Sequence, residues 1–216
     1  GLYLTHGCIA QPAMWFWQRK QYEKNIARRR AEAEQIAQFL NLTPVGFSPR
    51  PARFLWQELP QVRDEIAAAI RSHGINELWT PAYEGGNPDH DALNAIASTF
   101  RSHMSVLEFA EYNFHRGKTN SQIFPFPNGK EMVLTLSADE QSHKRDALKL
   151  YASEQHNLNH ISAIHECYRL LVDYDYSQPP HPGTLWYARF QWVPFRHPRV
   201  DFTNPEDVSD AILKHI

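Results

Sequence analysis

Trp79-Thr80-Pro81-Ala82-Tyr83-Glu84-Gly85-Gly86-Asn87-Pro88-Asp89-His90-Asp91-Ala92 reads as a short apolar segment, a glycine pair and the opening of a helix. Asn87 is an N-cap residue type, Pro88 suits the first helical position, and Asp89 favours the positive end of the helix dipole. The preceding Glu77-Leu78-Trp79-Thr80 reads as a strand whose carboxyl end feeds the loop, and ligands of open α/β sheets bind outside such strand ends. A histidine in the first turn of a helix meets the positive end of the dipole, which favours the neutral ring that coordinates metals. Capping and spacing alone do not separate a metal ligand from a surface histidine at position 90.

Working outward, Leu2-Tyr3-Leu4-Thr5 reads as a strand ending at His6-Gly7, with His6 expected near the site. Gln18 to Leu40 carries apolar residues at helical spacing, and its Arg28-Arg29-Arg30 run lies among Glu23, Glu32 and Glu34, the pattern of a solvated, salt-bridged face. Val45-Gly46-Phe47 reads as a short strand, and Leu59 to Ser72 as a helix stopped by His73-Gly74. A helix from Pro88 to about Arg101 follows, then a strand at Val106 to Ala110, a long loop from Tyr112 to Gly129 that can rim a pocket, and a strand at Lys130 to Leu136. Ser137-Ala-Asp-Glu140 is a capping box opening a helix to about Gln155. The histidines at 156, 160 and 165 have the spacing of a polar helical face, and two of them are placed to share one side of a helix as a metal pair does. The alternating aromatics of 174–193 predict β-structure and a wall for sugar stacking. Strand and helix alternate, which predicts a largely parallel sheet with right-handed crossovers.

The segment from Pro81 to Ala92 resembles the second signature of the PIG-L/LmbE family of zinc-dependent N-deacetylases, whose usual text is E-G-G-H-P-D-H-D-A. Arg29-Arg30-Ala31-Glu32-Ala33 resembles the family's R-x-x-E-A, and Lys144 to Ser153 its K-x-x-A-L-x-x-Y-x-S. The resemblance implies an α/β, Rossmann-like three-layer sandwich with a mostly parallel sheet, and removal of an acetyl group from an N-acetylglucosamine-type conjugate. It implies His90 as a zinc ligand, Asp89 and Asn87 at the catalytic positions, and Arg29 and Glu84 at the substrate. Asn87 stands where the family has a histidine that assists protonation or oxyanion stabilisation, so general acid catalysis is in doubt. The family's upstream H-P-D-D-E text, which supplies the other zinc ligands and the general base, has no counterpart here. The expectation is an N-terminally truncated member, its first strand and loop missing and the chain inactive as given. The alternative is a catalytically impaired, sugar-binding scaffold.

The chain has 216 residues, 42% of them hydrophobic, enough for one domain spanning 1–216. Its formal charge of -2 suggests neither a nucleic-acid footprint nor a membrane-surface patch. Two cysteines, Cys8 and Cys167, form no spacing motif and fit a reducing, cytoplasmic setting. No apolar run is long enough to span a bilayer. An amino-sugar conjugate is the expected partner, with homo-oligomers known among relatives. A nucleotide-binding domain is disfavoured because no G-x-G-x-x-G turn occurs.

Overall fold

The computed structural model describes residues 1–195 and 197–216. In chain order the elements are β1 (Leu2–Tyr3), α1 (Tyr22–Phe39), β2 (Gly46–Phe47), α2 (Leu59–His73), β3 (Glu77–Pro81), α3 (Pro88–Ser98), β4 (Ser105–Phe109), β5 (Tyr112–Asn113), β6 (Asn120–Ser121), β7 (Met132–Thr135), α4 (Ala138–Leu150), α5 (Gln155–Leu158), β8 (His165–Leu170) and α6 (Pro205–Leu213). The strands form a parallel β1–β2 ladder, a four-stranded sheet in the order β3-β4-β8-β7, and a small β5–β6 hairpin. β3 and β4 pair parallel over their full length, whereas β8 runs antiparallel to both β4 and β7.

The fold is the expected α/β, Rossmann-like arrangement, with alternating strands and helices and parallel pairing as far as β4. The predicted largely parallel sheet then gains an antiparallel side, a mixture common where an α/β sheet ends. The helix boundaries follow local chemistry. Ser137 accepts from the Glu140 N–H while the Glu140 carboxylate accepts from the Ser137 N–H at 2.8 Å, completing the capping box of α4. Gly74 ends α2 at φ 61°, a left-handed position that suits glycine. Arg30–Glu34 pairs one helical turn apart on the expected solvated face, whereas Arg28 reaches a Glu32 that is buried. Arg29 instead turns inward and pairs with Glu154.

The main core joins Leu59, Val62 and Ile66 of α2, Ala92, Ala95 and Ile96 of α3, Val208 and Ile212 of α6, and Leu4 beyond β1. α2, α3 and α6 are therefore held by burial of their apolar stripes, and the start of α3 is fixed where β3 delivers the chain. On α1, the enclosed Glu32 accepts from the Ser153 N–H at 3.0 Å and from its hydroxyl, tying α1 to the end of α4.

Two expectations are corrected. The predicted β-structure of 174–193 is absent among the described residues, where this segment runs as turns and irregular backbone. Pro179, Pro180 and Pro182 lack the N–H a ladder requires, and Tyr174 and Tyr176 pack inward against Tyr83 with ring centroids 5.3 and 4.9 Å away. The histidine series 156–165 does not share a helix, since α5 ends at Leu158 and His165 opens β8.

Candidate active site

The loop between β3 and α3 is shaped by two carboxylates that reach back to backbone donors. Asp91, in the first turn of α3, accepts from the N–H groups of Glu84 and Gly85 at 3.1 and 3.0 Å. Burial pushes its pKa up to about 7 against the pull of those two donors. Asp89 accepts from Arg53 N–H at 2.6 Å and Leu55 N–H at 2.9 Å, fastening the 53–55 segment to the start of α3. Burial raises its pKa to about 6, opposed by the same backbone donors. Asn87 caps the helix, its Oδ1 accepting from Asp89 N–H at 2.9 Å.

Glu84, expected at the substrate, is 1% exposed. Its oxygens accept from Glu111 N–H at 2.7 Å, Tyr112 N–H at 3.0 Å and Asn113 Nδ2 at 3.2 Å, which locks the β4–β5 turn beside the loop. Its pKa stands well above the usual carboxylate range because burial outweighs these donors. Glu84 thus holds the wall of the site in place, its oxygens engaged by these three donors. Gly86 allows the closest approach: a Cβ there would lie 2.3 Å from the Tyr112 carbonyl oxygen.

His90 points out of this frame. Its Nδ1 lies 3.3 Å from Glu111 Oε2, and both side chains remain about a quarter exposed, at 25% and 27%. Tyr112 stands next to it with ring centroids 6.2 Å apart. Tyr112 also packs on Trp186 at 5.3 Å and His160 at 4.7 Å, and the Arg189 guanidinium covers the Trp186 ring at 3.6 Å. A partly exposed imidazole, a carboxylate and a partly exposed aromatic wall therefore meet at the carboxyl end of β3.

Asn87, Asp89, His90 and Glu84 are brought together by the one turn; Arg29 is not among them. It lines a cavity of about 260 Å³ with Tyr3, His6, Phe47 and Tyr151, at the carboxyl ends of β1 and β2. His6, expected near the site, lies in that cavity, with Nε2 3.2 Å from the Tyr22 hydroxyl and Nδ1 accepting from Cys8 N–H. Glu111 is not singled out by the sequence; Tyr112, Trp186 and Arg189 enter only as members of the loop and the aromatic tail, and His160 as one of a polar histidine series. The length of the 112–129 loop and the aromatics of the tail were the signals that touched them.

A zinc centre takes three or more protein ligands. Among the described residues no group of three or more His, Cys, Asp or Glu side chains is arranged to hold a metal ion. His90 and Glu111 stand together, but Asp89 is turned away toward 53–55. These residues by themselves do not fit a zinc site.

His160 gives the site a pH signature. Burial, then the charge of Arg189, lowers its pKa to about 4. The unfolded chain takes up a proton near pH 6.5 that the folded chain refuses, so stability is lost as pH falls from about 6.5 toward 4. The ring is only half-buried, and a loss on the order of 1 kcal/mol by pH 5 is expected. His160→Gln should shallow this slope in urea titrations at stepped pH without abolishing it, because burial also lowers the pKa values of His6 and His181.

The architecture defines a class: the α/β, Rossmann-like fold of a group of deacetylases. The particular structures it matches are a deacetylase–bog complex from the teicoplanin biosynthesis pathway (TM-score 0.60, 18% identity, 81% of this chain and 86% of that one), and the zinc-inhibited form of teicoplanin deacetylase Orf2 (0.57, 16%, 81% and 87%). The A40926 pseudoaglycone deacetylase Dbv21 also matches (0.59, 14%, 80% and 84%). At such identities the likeness establishes the fold. No protein-family model and no curated protein sequence matches the chain.

Proposed function

We propose that this protein is an N-deacetylase of the PIG-L/LmbE type, acting on the acetamide of an amino-sugar conjugate. The observation that carries the reading is the partly exposed His90 imidazole at the carboxyl end of β3, in a chain with the fold of deacetylases. Tyr112 and Trp186 offer apolar ring surface beside it, suited to the face of a sugar. Asn87 keeps its Oδ1 on the helix cap, which leaves its amide N–H₂ to donate to an oxygen that gains charge as the amide carbonyl is attacked. It cannot give a proton to the leaving nitrogen. Zinc is the metal the resemblance implies; His90 is one imidazole toward it and falls short of a complete ligand set.

The second reading is a scaffold that binds the sugar without hydrolysing it. It is favoured by Asn87 in the proton-donor position and by the lack of a three-ligand group among the described residues. Acetate release and equilibrium binding, measured on N-acetylglucosamine conjugates with zinc supplied, separate the two. With the family's upstream H-P-D-D-E ligands supplied, the deacetylase reading expects acetate release that His90→Ala abolishes, and none from the chain without them. Asn87→His should raise it by about tenfold or more, since general acid catalysis contributes on the order of a hundred- to ten-thousand-fold. Sugar binding with no acetate release, in the parent and in Asn87→His alike, would leave the scaffold reading standing; neither binding nor release would remove both.

A further inference from the structure

Two stretches far apart in sequence, 10–21 and 186–200, contain no aspartate or glutamate, yet hold Arg19, Lys20, Arg189 and Arg199 among tryptophans and phenylalanines. The fold brings them together. The Trp15 ring meets His197 edge-on with centroids 5.7 Å apart, Trp15 stacks on Trp17 at 5.1 Å, and Phe195 reaches His197 at 6.4 Å. At this junction large side chains face water, Phe16 74% exposed, Trp17 56% and Phe195 57%, and Trp192, three residues before Phe195, is 77% exposed.

The loops beneath these rings are pinned. Arg19 donates to the carbonyls of Pro12 at 2.8 Å and Met14 at 3.2 Å, closing the first loop. Arg53 donates to the carbonyl of Val200 at 3.0 Å, and Gln191 to those of Asp201 and Thr203 at 3.1 and 2.8 Å, holding the second. Bulky rings are thus presented outward by a framework whose own polar groups are satisfied.

Exposed apolar patches of this kind mark interaction surfaces, and the charge pattern selects among occupants. A second copy docked on the same patch would set its cations against identical cations. A sugar site would favour carboxylates converging on the rings, and both stretches lack them, while the Gln11 and Gln191 amides are spent on backbone carbonyls. A bilayer with anionic headgroups satisfies both features, because tryptophan rings settle at the headgroup level and lysine and arginine are drawn to the negative surface.

We propose that residues 14–17, 190–195 and 197–199 form a docking surface for an anionic phospholipid bilayer, with Phe16, Trp17, Trp192 and Phe195 entering the headgroup layer. No helix among the described residues is long and apolar enough to cross a membrane, so the contact is one of lying on the surface. Arg53 connects it to the candidate site, its backbone N–H on Asp89 and its side chain on the 198–200 backbone. The proposal concerns binding alone and stands whether or not the protein hydrolyses amides.

Co-sedimentation with phosphatidylcholine vesicles, with and without phosphatidylglycerol, tests it together with quenching of tryptophan emission by brominated lipid. The expected result is binding that requires phosphatidylglycerol, weakens with added salt, and quenches the tryptophans. Lys20→Gln and Arg199→Gln should each lower the partition coefficient about fivefold. The exposed pair Trp17→Ala and Trp192→Ala should lower binding and quenching together while circular dichroism stays unchanged. Failure to bind either vesicle overturns the proposal. So does binding without quenching, a dimer in sedimentation that the tryptophan changes dissociate, or retention on an N-acetylglucosamine matrix that they abolish.

Discussion

Gly86→Ala is expected to remove about 3 kcal/mol or more of stability and to dismantle the turn that carries His90. An added methyl would sit 2.3 Å from the Tyr112 carbonyl oxygen and 3.1 Å from its ring. Neither neighbour can yield cheaply. The N–H groups of Glu111 and Tyr112 are held by the enclosed Glu84 carboxylate, and the Tyr112 ring is packed on Trp186 and His160. Relief would require β5 to move off the loop, breaking the Glu84 bonds and leaving a buried carboxylate without donors. At roughly 2–4 °C per kcal/mol for a chain of this size, the midpoint of thermal unfolding should fall by about 10 °C. Gly85→Ala adds a test of cause. Its φ of 72° and a Leu185 methyl at 2.8 Å also disfavour a side chain, but that clash is with a side chain, so the smaller loss is expected. Equal losses at both positions would mean that the approach to Tyr112 is not what fixes the turn.

Arg169→Met should cost about 3–5 kcal/mol, the range for breaking a buried ion pair by removing one partner. Arg169 is 3% exposed and Glu108 is fully enclosed. The guanidinium donates to Glu108 at 2.8 Å, to Glu131 at 2.7 Å and to the Phe126 carbonyl at 3.0 Å, and lies over the Phe124 ring at 3.9 Å. Without it, Glu108 keeps only the neutral donors Asn94 and Tyr174 against the burial that already raises its pKa. Glu108→Gln in the Arg169→Met background removes the stranded charge while keeping an acceptor for Tyr174, and should recover part of the loss. Urea unfolding of the single and double variants checks this. A loss under about 1 kcal/mol for Arg169→Met would place the pair with exposed ones.

These two predictions fall on opposite sides of what the amino-acid text discloses. The cap of α3, its proline and the capping box of α4 are interactions between residues one to three apart, so they are visible before any fold is known. Glu84-Gly85-Gly86 marked a tight place, but not what approached it. β8 was unread because its inward positions include Arg169, a charge that breaks apolar alternation and is tolerated only because Glu108 and Glu131 meet it from elsewhere in the chain. Likewise Tyr112, His160 and Trp186 come from three separate loops and touch only after the sheet and core have set. The charge total of -2 concealed the basic aromatic surface in the same way, because averaging over the chain erases two acid-free stretches that only the fold makes neighbours.

Among the described residues the β1–β2 ladder shares no strand pairing with the β3-β4-β8-β7 sheet; Leu2 and Leu4 meet the common core through side chains, and the buried Arg50 ties the Leu4 carbonyl to Glu58 and Glu65. Cooperativity between the two ladders must pass through that apolar seam and the Arg50 clasp. The amino-terminal ladder is thus free to fray as a separate unit while the turn bearing His90 stays intact, and its amides should trade hydrogen for deuterium sooner than those of β4.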